Sequence, residues 1–218
     1  MKRTCLPQTI KLAIFDLDGT LVDAYRAIAD SVNHTMERLG LPRQSLRTVI
    51  RSVGWGVDTL IRSFVEEAQA EEALRIFRAH HDKRLRRNLK ALPGARALLA
   101  FLKKRGCRMA IASNRPTKFC HIILEELEID GYFDHVVCGD AVKRPKPHPD
   151  MIRLVLKKTR VRPSEAIYVG DMSVDILSGN RAGVFTIGVP TGSCTVEEIL
   201  EAGPDLLIRK LSDIKKIL

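Results

Sequence analysis

The sequence predicts an α/β fold, a Rossmann-like parallel sheet core with an inserted all-helical cap. Short apolar runs, each ending abruptly in polar or acidic residues, alternate with stretches of helical period. That is the pattern of a parallel sheet with helices on both faces. Between Ala24 and about Lys90 the alternation stops, and helix follows helix without a strand pattern. At 218 residues the chain has the length of one large α/β domain carrying a smaller insertion.

The first run, 11–15, is apolar to its end and passes directly into Asp16-Leu17-Asp18-Gly19, as a buried parallel strand does. The insertion opens on a helix whose apolar residues Ala24, Ile28, Val32, Met36 and Leu39 recur at helical spacing, with Ala27, Ser31 and Thr35 beside them. Gly40 and Pro42 end it. Further helices are expected over 45–53, 57–68 and 71–87, and Pro93-Gly94 marks re-entry into the core. Strands then follow at 108–112, 135–138, 166–169 and 184–189, with helices over 95–104, 118–127 and 151–159 and a terminal helix over 211–218. The division is thus a core of 1–23 and 90–218 and a helical cap, a candidate lid, of 24–89.

Composition narrows the class. Hydrophobic residues make up 45% of the chain, ordinary for a globular protein. No apolar run approaches the roughly 18–20 residues that span a bilayer, and the basic N-terminus lacks the apolar stretch of a signal peptide. Cys5, Cys107, Cys120, Cys138 and Cys194 are scattered and form no CxxC pair. They read as reduced thiols of a cytoplasmic protein, not as a disulfide frame or a zinc site. The net charge of +10 raises nucleic acid as a partner. Yet the densest cluster, Lys83-Arg84-Leu85-Arg86-Arg87-Asn88-Leu89-Lys90, continues a helical pattern and has no aromatic residues for bases to stack on. It reads as a solvated helix face, and attraction of small anionic substrates is compatible with it. No nucleic-acid or membrane partner is expected.

In open α/β sheets, ligands bind beyond the carboxyl ends of the strands. The first run delivers Asp16-Leu17-Asp18-Gly19-Thr20 there, and the second Ser113-Asn114-Arg115-Pro116. The third, across a loop, delivers Lys146-Pro147-His148-Pro149-Asp150, and the fourth Gly170-Asp171-Met172-Ser173-Val174-Asp175. Each has an ordinary structural reading when taken alone: a turn, a helix cap, a solvated lysine, a helix start. Their joint placement suits phosphoryl transfer. A carboxylate attacks a phosphate ester only when positive charge screens the phosphoryl oxygens, and Mg²⁺ held by Asp16 and Asp171 would screen them. A lysine and the Ser113 hydroxyl would stabilise the equatorial oxygens. Asp18 is placed to protonate the leaving alcohol and then to activate water.

The spacing Asp-x-Asp-Gly-Thr, Ser-Asn, Lys-Pro and Gly-Asp-x-x-x-Asp resembles all four motifs of the haloacid dehalogenase superfamily. The helical insertion resembles the cap of its subfamily with an alpha-helical lid. The resemblance implies Asp16 as nucleophile, Asp18 as general acid and base, and phosphate binding by Ser113, Asn114 and Lys146. It implies Mg²⁺ on the Asp16 side chain, the Asp18 backbone carbonyl and Asp171, with Asp175 supporting that shell. Asp18 puts carbon–halogen and carbon–phosphorus cleavage behind phosphate-ester chemistry, because members performing those reactions lack an acid at this position.

Within the superfamily, Ala112-Ser113-Asn114-Arg115-Pro116-Thr117-Lys118-Phe119 and Lys146-Pro147-His148-Pro149-Asp150 are similar to segments of phosphoglycolate phosphatases. Gly54-Trp55-Gly56-Val57-Asp58 resembles the cap loop that faces substrate there, which implies specificity roles for Gly54, Trp55, Gly56 and Asp58. Arg115 replaces the usual lysine, Ala24 a common serine, and Ala141 a second acid. The expected function is Mg²⁺-dependent hydrolysis of a small phosphorylated metabolite such as 2-phosphoglycolate by a monomer or homodimer. Pyrophosphate, nucleotide or sugar phosphatase activity stays open, and so does sugar phosphomutase activity. From another class stands a catalytically silent regulatory or nucleic-acid-binding protein of the same fold. Trp55 has two readings, over substrate or packed on the cap helices. His148 is expected to cap the next helix, and His80-His81 to lie on the basic helix without a metal role.

Overall fold

The computed structural model describes residues 6–87 and 89–218. The segment 1–5, with Cys5, and Asn88 of the basic cluster lie outside the described residues. Strand β1 (Leu12–Phe15) is central, flanked in parallel by β4 (Arg108–Ser113) and β6 (Ala166–Gly170). With β5 (His135–Cys138), β7 (Phe185–Gly188) and β8 (Leu206–Leu207) they form a six-stranded parallel sheet of order β5-β4-β1-β6-β7-β8. The strands are apolar on both faces because both faces are covered. Ala13, Phe15, Met109, Ile111, Ile167 and Val169 point into one core layer. Their alternating neighbours Leu12, Ile14, Ala110, Ala112, Ala166 and Tyr168 point into the other.

The covering helices are α5 (Ala95–Lys104), α6 (Thr117–Glu126), α7 (Asp150–Thr159), α8 (Ser173–Ala182), α9 (Val196–Glu201) and α10 (Ile214–Ile217). The tail predicted as a single helix begins as a 3-10 turn, Leu211–Asp213, before α10. Leu211 and Ile214 bury themselves in the core and fix that turn. No helix among the described residues is long and apolar enough to cross a membrane.

The cap consists of α1 (Tyr25–Arg38), α2 (Leu46–Ser52), α3 (Val57–Arg62) and α4 (Ala70–Arg84). It has its own core, in which Ile28, Val32 and Met36 of α1 meet Val49, Leu60, Leu74 and Phe77. The helix expected over 57–68 stops at Arg62. Ser63 turns its hydroxyl onto the Leu60 carbonyl (2.7 Å), and Arg62 spans the bend to Glu67 and Glu71. At the base of the cap, β2 (Val22–Asp23) and β3 (Lys90–Ala91) pair antiparallel, tying the two connecting segments together. Two of the five cations of the basic cluster are paired, Arg84 with Asp30 and Arg86 with Glu126, while Leu85 is fully buried in the α/β core.

Candidate active site

The carboxyl ends of β1, β4 and β6 lie side by side, so Asp16, Ser113 and Asp171 share one rim. Lys146 reaches it from the loop after β5. Its ammonium donates to Asp16 Oδ1 (2.7 Å) and Asp175 Oδ1 (2.6 Å), and its side chain is 2% exposed. Asn114 places that lysine: its Oδ1 accepts from the Lys146 backbone N–H (2.9 Å), and its Nδ2 donates to the carbonyls of Lys146 and Gly54. The Asn114 side chain is therefore committed to holding Lys146 and the cap loop. Asp175 accepts three hydrogen bonds, from Lys146, from the Tyr168 hydroxyl (2.9 Å) and from the Met172 N–H (3.0 Å).

Asp171, fully buried, accepts from the Thr20 hydroxyl (2.7 Å) and the Ser193 N–H (3.3 Å). Two glycines make room for it. A Cβ on Gly19 (φ +82°) would lie 2.5 Å from its Oδ2, and one on Gly192 1.7 Å from the same oxygen. Asp16, Asp171 and Asp175 each bring a carboxylate oxygen within 4.8 Å of the others. Burial raises the Asp16 carboxyl to about 7 against the opposing charge of Lys146, with Asp175 and Asp18 adding to the rise. Burial, then Asp16 and Asp175, hold Asp171 well above the carboxylate range. Crowded hard oxygens that resist ionisation fit a small divalent cation. Because Asp175 already accepts three hydrogen bonds, Asp16 and Asp171 are the freer ligands.

Asp18 stands on the cap side of the rim. Arg115 grips both of its oxygens, Nε to Oδ2 at 2.7 Å and Nη2 to Oδ1 at 2.8 Å. Arg115 Nη1 also meets His81 Nε2 at 3.0 Å, and Nδ1 of the same ring meets Ser31 Oγ at 3.0 Å. Burial and then Arg115 push His81 down to about 3, so the ring is neutral at ordinary pH. Since Nε2 accepts from the guanidinium and Ser31 donates to the Ala27 carbonyl, the ring proton is assigned to Nδ1. His81 is thus a fully buried link between cap and core, a role that its place on the basic helix did not suggest. Charge inventory was the available signal for Arg115, which follows Ser113 by two residues and so had to stand near the same rim.

Asp16, Asp18, Ser113, Asn114, Arg115 and Lys146 line one side of a cavity of about 50 Å³. The cap closes the other side with Ile28, Val53, Val57, Leu60, Phe77 and His81, and with Gly54 and Gly56. Trp55 and Asp58 do not line it. The glycines on either side of Trp55 have φ of +115° and +96° and turn the indole outward. There it is 48% exposed, over a groove with Arg51, Met172 and Glu198. Asp58 pairs with Arg78 at 3.1 Å on the surface. His148 does not cap α7, which starts without a side-chain cap; its carbonyl accepts from Ser178 instead.

The model of the haloacid dehalogenase-like hydrolases matches residues 13–189. A phosphoglycolate phosphatase of Pseudomonas syringae pv. tomato is 34% identical over 92% of this chain and 77% of its own length. One from Aquifex aeolicus is 31% identical over 96% of this chain and 97% of its own. Among solved structures, a predicted phosphoglycolate phosphatase from Haemophilus somnus superposes with a TM-score of 0.90 at 29% identity, covering 95% of this chain and 97% of that one. A predicted phosphatase from Clostridium acetobutylicum does so with a TM-score of 0.86 at 27% identity, covering 96% and 98%.

Proposed function

The chain belongs to the haloacid dehalogenase-like hydrolases and is a phosphoric monoester hydrolase; from that premise we propose that its substrate is a small phosphomonoester, 2-phosphoglycolate, cleaved through an aspartyl-phosphate on Asp16. The observation that carries this reading is the Asp16–Lys146–Asp175 chain beside Asp171, all at one end of the sheet.

The carboxylate set fits Mg²⁺, which the Asp16 and Asp171 side chains and the Asp18 backbone carbonyl would hold, with Asp175 in support. When bound, the ion offsets the carboxylate charge and screens the phosphoryl oxygens. Asp16 attacks phosphorus, while the Lys146 ammonium and the Ser113 hydroxyl take the equatorial oxygens. Ser113 Oγ accepts only a long bond from the Arg115 N–H, at 3.3 Å, so its own proton can turn to the phosphoryl group. Asp18, whose two oxygens accept from Arg115 in this state, takes up a proton as the ester binds, gives it to the leaving alcohol and later takes one from the water that opens the acyl phosphate.

The cap wall supports a small substrate. A cavity of about 50 Å³ is on the scale of a few waters, and Ile28, Val53, Val57, Leu60 and Phe77 offer no hydrogen bonds to a sugar ring or base. Phosphate release from 2-phosphoglycolate, pyrophosphate, nucleoside monophosphates and sugar phosphates, with Mg²⁺ and with EDTA, tests the reading. It expects Mg²⁺-dependent turnover led by 2-phosphoglycolate. Faster hydrolysis of a nucleotide or sugar phosphate, or undiminished turnover in EDTA, would overturn it.

A further inference from the structure

We propose that Arg115 selects the substrate by receiving a carboxylate carried on the leaving alcohol, and that His81 of the cap is the positioning residue that holds the guanidinium for it. This deepens the phosphatase reading above and rests on it.

Charge on the cavity wall gives the first argument. Lys146 and Arg115 are the cations that line it, and the Lys146 ammonium is engaged between Asp16 and Asp175. With Lys146 assigned to the phosphoryl oxygens, Arg115, itself paired with Asp18, is the cation left for an anionic leaving group to meet. The wall opposite is apolar, so a carboxylate entering without that partner would lose its hydration uncompensated.

Donor count gives the second. A guanidinium carries N–H donors on all three nitrogens in a planar fork. The bonds to Asp18 and His81 use Nε and one hydrogen on each terminal nitrogen. A second N–H remains on Nη1 and on Nη2, donors that a carboxylate can accept from.

Position gives the third. Arg115 grips Asp18, the residue assigned to the ester oxygen of the leaving group, so a carboxylate one carbon from that oxygen comes within its reach. His81 brings this geometry under the cap: as a neutral acceptor on Nη1 it fixes the guanidinium plane from the α4 side. A substrate of the same size without the carboxylate would leave buried N–H groups unpaired, so selection operates in both directions.

The experiment compares 2-phosphoglycolate with isobutyl phosphate, its near-isostere with an uncharged isopropyl group in place of the carboxylate, on wild type, Arg115→Met, Arg115→Lys and His81→Gln. The quantity read is the ratio of the two kcat/KM values within each preparation, which does not depend on the folded fraction. Arg115 also touches Asp18, so its loss lowers kcat on both esters; losing carboxylate recognition raises KM for 2-phosphoglycolate alone. Wild type should prefer 2-phosphoglycolate by about 10–100-fold, the scale of charge-assisted hydrogen bonds. Arg115→Met should bring the ratio near one, while Arg115→Lys and His81→Gln give intermediate ratios. Should Arg115→Met fail to fold, the Lys and Gln variants carry the test. A wild-type enzyme that hydrolyses both esters equally, or a preference undiminished in the variants, overturns the inference while leaving the phosphatase reading intact. Absence of phosphate release from every ester would refute the phosphatase reading and remove this inference with it.

Discussion

Two buried aspartates four residues apart should respond to the same substitution with opposite signs. Asp175 accepts three hydrogen bonds, one from the Lys146 ammonium. In Asp175→Asn the amide nitrogen must face a donor, whichever way the group turns, and Lys146 loses one of its two carboxylates. Removing one partner from a buried ion pair costs about 3–5 kcal/mol. Because Lys146 keeps Asp16, the lower end applies. At roughly 2–4 °C per kcal/mol for a chain of this size, a loss of about 3 kcal/mol lowers Tm by roughly 6–12 °C. Asp171 differs, because burial and two neighbouring carboxylates raise its pKa in the folded state. A raised carboxyl contributes stability below its unfolded pKa that is lost as pH rises through the folded one. At neutral pH the group is therefore a burden on the metal-free fold, which Asp171→Asn removes. In EDTA at pH 7, thermal melts should show Asp175→Asn well below wild type and Asp171→Asn at or above it. Equal losses in both variants, or an unchanged Asp175→Asn, would refute this account of the cluster.

Asp16, raised to about 7 mainly by burial, gives metal-free protein a stability that falls as pH rises from about 4 through about 7. Urea midpoints in EDTA from pH 5 to 8 should show the fall, and saturating Mg²⁺ should oppose it at the upper end. Mg²⁺ at about 100 times its Kd should stabilise wild type by about 2.7 kcal/mol, read as a Tm shift. Gly192→Ala should abolish that shift, since its Cβ would lie 1.7 Å from Asp171 Oδ2; a retained shift would show that Asp171 is dispensable for the ion. Trp55→Ala should leave the order of substrate preference unchanged, because the indole lies outside the cavity, and a reordered profile would place the ring over substrate.

Five strands of the sheet were legible as short apolar runs, and the parallel pairing of β1, β4 and β6 brings their chemistry-bearing ends together; β8, with two residues, was not. The cap was legible from the 3.6 period of Ile28, Val32 and Met36. The hinge pair was not: β2 and β3 have two residues each, too few to show alternation. Helix α8 was hidden by Ser178, Gly179 and Asn180, poor helix formers. Packing explains the glycine, since a Cβ there would lie 2.4 Å from the Thr186 methyl. The outward turn of Trp55 follows from the φ angles of Gly54 and Gly56, which sequence leaves free. His81 and Arg115 lie 34 positions apart, and only the docking of α4 onto the core makes them partners. Arg115 looked like a conservative exchange for lysine, but its fork is what lets one side chain hold Asp18 and His81 together.

Intact-mass spectrometry of Asp16→Asn and Asp18→Asn, after exposure to acetyl phosphate or a nitrophenyl ester, tests the nucleophile most directly. Asp18→Asn keeps the attacking carboxylate and loses the general base, typically worth about 10²–10⁴-fold. A reactive donor with a good leaving group should therefore phosphorylate Asp16 in that variant, and hydrolysis should stall. The account predicts a phosphoryl adduct on Asp18→Asn, mapped to Asp16, and none on Asp16→Asn, whose amide is a poor nucleophile. An adduct that survives Asp16→Asn, or one mapped to Ser113, would contradict it.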